Sequence, residues 1–136
     1  MSLADDVLAV ANLKARYCAI SDRSVDDPDG VRAGFRTVFV PDVLADYGFG
    51  ELIGPDAVAA FLHSTVHANS EWMLHMLSSP AIDVAGDEAT GEWTVMVQSK
   101  QRQGGQIDTV IGRYADGFVR TADGWRIARV RFAQLS

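Results

Sequence analysis

Residues 72–132 read WMLHMLSSPAIDVAGDEATGEWTVMVQSKQRQGGQIDTVIGRYADGFVRTADGWRIARVRF. Apolar and polar residues alternate here over long runs, which is the period of a β-strand. The runs are interrupted at Gly86-Asp87, Gly104-Gly105 and Asp123-Gly124. Such pairs between alternating segments mark hairpin turns. The stretch therefore reads as four strands, at 72–84, 89–102, 107–120 and 125–132, arranged as an antiparallel meander.

The chain before this meander has mainly helical periodicity. Ser2 or Asp5 can cap a first helix whose apolar positions are Val7, Leu8, Ala11, Leu13, Ala15, Cys18 and Ala19. It is expected to stop before Asp22, because residues 21–30 (SDRSVDDPDG) are dense in turn formers. A second helix at 28–39 carries Val31, Phe35, Val38 and Phe39 on one side, with Pro41 expected to end it. Residues 43–47 alternate as a short strand, and Gly48 and Gly50 allow a return to Leu52 and Ile53. Gly54-Pro55-Asp56 opens a third helix with Val58, Ala59, Phe61, Leu62 and Val66 as its buried stripe. Helices followed by an antiparallel meander define an α+β fold with the helices on one sheet face, here a single domain over residues 1–136. Long strands curl, and helices over a curled sheet leave a pocket at its open end.

Composition narrows the function. The chain has 136 residues, 48% hydrophobic and 22% charged, the balance of an ordinary globular domain. A net charge of −6 argues against nucleic-acid and anionic-membrane partners, which need a cationic face. No apolar run approaches the roughly 20 residues that cross a bilayer. The opening MSLADD has neither a basic nor an apolar signal region, so no secretory leader is read. Cys18 is the single cysteine, with no internal disulfide partner; among apolar neighbours it reads as a packed thiol in a reducing cytoplasm. Of ten arginines, five (Arg113, Arg120, Arg126, Arg129, Arg131) fall after residue 112, where strand alternation turns some of them inward.

His75 lies within the apolar segment Trp72-Met73-Leu74-His75-Met76-Leu77. A histidine there is either a satisfied core residue or a base in a dry pocket. Asp22, at the end of the first helix, is a candidate partner, since a carboxylate on one ring nitrogen leaves the other free to take a proton. His63 and His67, four apart, have the spacing of a helical zinc pair but no third ligand, and read as surface residues near a helix end. Tyr17, Tyr47 and Tyr114 are candidate phenol donors, and Asp22, Asp26, Asp27 and Asp29 form an acidic loop without calcium-loop spacing.

Several blocks, taken in order, resemble a known family. They are Leu13-Lys-Ala-Arg-Tyr17 with Ser21-Asp22-Arg23, then Phe39-Val-Pro-Asp-Val43 with Asp46-Tyr47-Gly48, then Gly54-Pro55-Asp56-Ala57-Val58. His75, Gly86-Asp87, Gly112-Arg113-Tyr114, Asp116-Gly-Phe118 and Asp123-Gly124-Trp125 continue the series. Together they resemble the SnoaL-like branch of the nuclear-transport-factor-2-like superfamily. The resemblance implies a cone-shaped α+β barrel with one deep pocket and an aspartate–histidine pair inside it, as in scytalone dehydratase and hexachlorocyclohexane dehydrochlorinase. Asp22 and His75 match that pair and Tyr17 a polar pocket position. Arg129, or Arg131 if the last strand is bulged, matches a basic group that stabilises developing charge. No second histidine follows His75, and the dehydrochlorinase has a lysine where Tyr17 stands, so neither exact activity transfers.

The expected function is cofactor-independent lyase or isomerase chemistry on a small hydrophobic or aromatic ligand, with no metal. Tyr47, Trp72, Met73, Tyr114 and Arg131 are the expected substrate contacts. A non-catalytic ligand-binding module and an interaction domain are the alternatives. The uncovered sheet face, assigned Trp93, Val95 and Val97 or their neighbours, is expected to pair subunits into a homodimer or homotrimer.

Overall fold

The computed structural model describes residues 2–23 and 25–136; Met1, in the opening segment read for a leader, and Ser24, in the turn cluster, lie outside them. The elements are α1 (Leu3–Arg23), α2 (Pro28–Val38), β1 (Phe39–Asp46), β2 (Glu51–Ile53), α3 (Pro55–Thr65), a short 3-10 turn (His67–Asn69), β3 (Ser70–Ala85), β4 (Glu88–Gln101), β5 (Ile107–Thr121) and β6 (Gly124–Gln134). The six strands form one curled sheet in the order β2-β1-β6-β5-β4-β3. All neighbours are antiparallel except β1 and β6. The sheet does not close into a barrel: β2 and β3 are its two edges, and the helices complete the cone.

Three boundaries differ from the sequence reading, the third being the strand read at 43–47, which starts at Phe39. The first helix runs through Asp22 to Arg23, which places Asp22 on its last turn. The second ends at Val38, and Phe39 already begins β1. Pro41 therefore sits inside a strand, at the register shift between Phe39 and Leu44, where its missing N–H costs no ladder bond. Asp27 caps α2 by accepting from the Gly30 amide at 2.9 Å.

The core lies between the inner sheet face and the helices. Val10, Leu13 and Tyr17 of α1 and Val31, Phe35 and Val38 of α2 meet Val95, Tyr114, Phe118, Ile127 and Val130 of the sheet. Asp6 ties the start of α1 to the β5–β6 hairpin. It accepts from Arg120 at 2.9 and 3.0 Å and from the Trp125 indole at 3.1 Å.

Those bonds, above all the Arg120 guanidinium, lower the Asp6 carboxyl to about 2. A depressed carboxyl contributes stability above its unfolded value near 3.8, and that contribution disappears as pH falls toward 2. Asp6→Asn is thus expected to lower the melting temperature most above pH 4, with the gap to the parent closing by pH 2. A gap independent of pH would refute this role.

Candidate active site

The last two turns of α1 carry both Tyr17 and Asp22, and β3 runs beneath them. The Asp22 carboxylate grips His75 twice: Oδ2 accepts from the His75 backbone N–H at 2.9 Å, and Oδ1 meets the ring Nδ1 at 2.7 Å. The His75 side chain is 4% exposed and that of Asp22 is 15% exposed. A carboxylate can only accept, so Nδ1 carries a proton, and in the neutral ring Nε2 keeps its lone pair. The sequence pairing across 53 residues is therefore a direct contact.

His75 lines a cavity of about 240 Å³ at the open end of the cone. Tyr17, Tyr47 and Tyr114 supply its polar wall, and Met73, Val97, Val110 and Phe132 its apolar one. The Tyr17 and Tyr47 hydroxyls are 2.7 Å apart, and those of Tyr17 and Tyr114 are 3.5 Å apart. Three hydroxyls joined by two contacts use two of their three protons, so one remains for a ligand. Burial raises all three phenols above their ordinary range, which keeps them protonated as donors. At the mouth, Phe61 stacks on Tyr47 at 5.3 Å, and Phe49 stands 6.1 Å from Phe61. Phe49 rides between Gly48 and Gly50, whose φ of 103° and 104° suit glycine, and it is 82% exposed.

A larger groove of about 620 Å³ lies elsewhere, beside Phe39, Ile53, Gly54 and the β5–β6 turn. Its Arg36 and Asp56 satisfy each other in a two-pronged contact of 3.0 and 2.7 Å, and it contains none of the Asp–His–Tyr chemistry.

The structure brings together Tyr17, Asp22, Tyr47, Met73, His75 and Tyr114. It does not bring Arg129, Arg131 or Trp72 to the cavity. The last strand is bulged: Gly117 pairs with Arg129 and Phe118 with Ile127, which leaves Ala128 as the extra residue. Inward positions are thus Trp125, Ile127, Val130 and Phe132, and both arginines point into the exposed outer face beside Asp83 and Glu92. Without the bulge, alternation from Ile127 would have turned both inward. Trp72 is adjacent to Met73 and so faces the opposite way.

Of the two alternatives for the outer face, the structure takes the neighbours. Trp93 and Val95 are buried under the helices and Val97 lines the cavity, so the outward residues are their neighbours Thr94 and Met96. His67 is a correction too: it is 1% exposed, and its Nε2 lies 2.9 Å from the Ser21 carbonyl. Burial lifts the Cys18 thiol to about 12, in keeping with a packed, unreactive group.

Lys14 and Asp116 went unread in the sequence. Both side chains are wholly buried, with Nζ 2.7 Å from Oδ2. The ammonium lies 3.3 Å from the Tyr114 ring centre and 4.2 Å from that of Tyr17, behind the phenol wall. The available signal was spacing, since Lys14 stands three and four residues before Tyr17 and Cys18 and so shares their inward face.

Three helices packed on a curled, open six-stranded sheet give the nuclear-transport-factor-2-like α+β fold. A model of the SnoaL-like domain matches residues 2–131, and the chain belongs to that family. An uncharacterized protein of Mycobacterium tuberculosis is 35% identical over 129 residues, covering 91% of this chain and 82% of its own. A nuclear transport factor 2-like superfamily protein from Salmonella enterica superposes with a TM-score of 0.86 at 21% identity, over 99% of this chain and 94% of that one. A hexachlorocyclohexane dehydrochlorinase does so with a TM-score of 0.82 at 13% identity, over 98% and 87%. At these identities the two structures share the fold. No helix among the described residues is long and apolar enough to cross a membrane.

Proposed function

We propose that this protein is a lyase or isomerase that removes a proton from carbon in a small hydrophobic or aromatic substrate. The observation that carries the reading is the 2.7 Å contact between Asp22 and His75 Nδ1 on the wall of a cavity that also holds three phenols. His75 Nε2 takes a proton from the carbon beside a carbonyl, and the electron pair moves onto the carbonyl oxygen. Asp22 orients the ring and balances the imidazolium that forms. The hydroxyls of Tyr17, Tyr47 and Tyr114 receive the developing negative charge, the role that the family resemblance implied for an arginine. The enolate then either expels a leaving group from the next carbon or takes the proton back at another position. Base, orienting group and donors all come from the chain, so the step calls for no cofactor.

Uptake of solvent deuterium by candidate ketones tests the reading, the parent being compared with His75→Ala. A ligand that binds without exchange would instead make the cone a binding module. An unpaired, buried Cys18 supports a cytoplasmic location.

The same reading includes self-association. On the outer sheet face Leu74, Met76 and Met96 are 45%, 39% and 37% exposed, and Met76 lies directly opposite Met96. Arg113, Arg129 and Arg131 share this face with Asp83 and Glu92, so a second copy can meet it with opposite charges. We expect gel filtration at low micromolar concentration to give a dimer or trimer of the 14.7 kDa chain. Elution as a monomer alone would contradict it.

A further inference from the structure

We infer that His67 is a positioning residue for the Asp22–His75 pair, acting through the last turn of α1. The inference rests on the proposed reading only for its kinetic consequence; the geometry stands without it.

The last four carbonyls of an α-helix have no partner within the helix. In α1, which ends at Arg23, Ser21 is among them. Its carbonyl is buried beside His67, whose Nε2 lies 2.9 Å away. A carbonyl cannot donate, so His67 Nε2 carries the proton and acts as a side-chain cap on the negative end of the helix. Burial lowers the His67 pKa below its usual value, so the ring stays neutral and holds this tautomer near neutral pH. The Ser21 hydroxyl in turn donates to the Tyr17 carbonyl at 3.1 Å. The turn fixed in this way carries a phenol of the cavity at one end and the carboxylate that grips His75 at the other.

The connector that carries the ring is itself anchored. The Ser70 hydroxyl donates to the Val66 carbonyl at 2.7 Å, and the Asn69 amide donates to the same carbonyl at 3.2 Å. The Asn69 carbonyl accepts from the Arg102 amide at 2.9 Å, which binds the 3-10 turn to the end of β4. Only two residues separate His67 from the start of β3, the strand that bears His75. His67 thus links the helix carrying Asp22 to the connector that launches the strand carrying His75. Opening the His67–Ser21 bond frees the end of α1, and Asp22 with it.

Proton exchange at the His75 ring tests this without any substrate. His67→Gln keeps a donor at the same reach, whereas His67→Leu keeps the volume and loses the donor. Exchange of the His75 Nδ1 proton with water, followed by NMR, is expected to quicken about tenfold or more in His67→Leu and to stay within about twofold of the parent in His67→Gln. Rates alike in all three proteins, or raised equally in both variants, would overturn the inference. Should His67→Leu not fold, the parent decides: the His75 Nδ1 proton must exchange at least as fast as the His67 Nε2 proton. Exchange about tenfold slower at His75 would show that the pair survives when the His67 bond opens. In the ketone assay His67→Leu is expected to lower kcat with KM little changed; absence of all exchange in the parent would count against the proposed reaction and leave the NMR result intact.

Discussion

Asp22→Asn is expected to slow deuterium uptake by about 10²–10⁴-fold, nearly as much as His75→Ala, with little change in melting temperature. Asparagine fits the space, and its amide can still meet the His75 ring. The amide N–H, however, can donate to Nδ1, which moves the ring proton to Nε2, the nitrogen that must be bare to act as base. The variant also loses the negative charge that balances the imidazolium. Rates of parent and Asp22→Asn within threefold of each other would show that the carboxylate only packs.

A second large effect is expected on stability. Lys14→Met leaves the Asp116 carboxylate wholly buried without its 2.7 Å partner. Breaking one side of a buried ion pair costs about 3–5 kcal/mol. For a domain of this length that corresponds to a fall in melting temperature of about 10–20 °C. Burial already raises the Asp116 carboxyl against the pull of Lys14, so in the variant it takes up a proton rather than stay charged. Replacing both partners, Lys14→Met with Asp116→Leu, is expected to recover most of the loss, because the apolar pair leaves no buried charge. Equal melting temperatures for the single and double variants would contradict this account. A loss of ligand affinity in Lys14→Met beyond its loss of stability would follow from the position of the ammonium against the Tyr17 and Tyr114 rings.

These variants mark where the sequence was legible. Alternation and turn pairs gave the meander, and its strand ends agree with the structure to within about two residues. The Asp22–His75 pair came from the apolar setting of His75 and from the family resemblance that the blocks carry, since a spacing of 53 residues supports it only weakly by itself. The arginines were misplaced for a local reason. One extra residue at Ala128 inverts every later side chain of β6, and a bulge has no reliable mark in a single sequence. The closing parallel pair β1–β6 was equally invisible, because it joins segments far apart in the chain. Val97 could have been placed from His75: the two are direct cross-strand partners and share a face. Lys14 went unread and His67 was read as a surface residue because burial of a charged or titratable group depends on a partner, and their partners, Asp116 and the Ser21 carbonyl, come from distant segments.

The most direct test of the central claim is the rate at which the parent protein exchanges the α-proton of a small aromatic ketone for solvent deuterium, set beside that of His75→Ala. The account predicts exchange by the parent, and a fall of about 10²–10⁴-fold in a variant that still folds. Equal rates in the two proteins would contradict it.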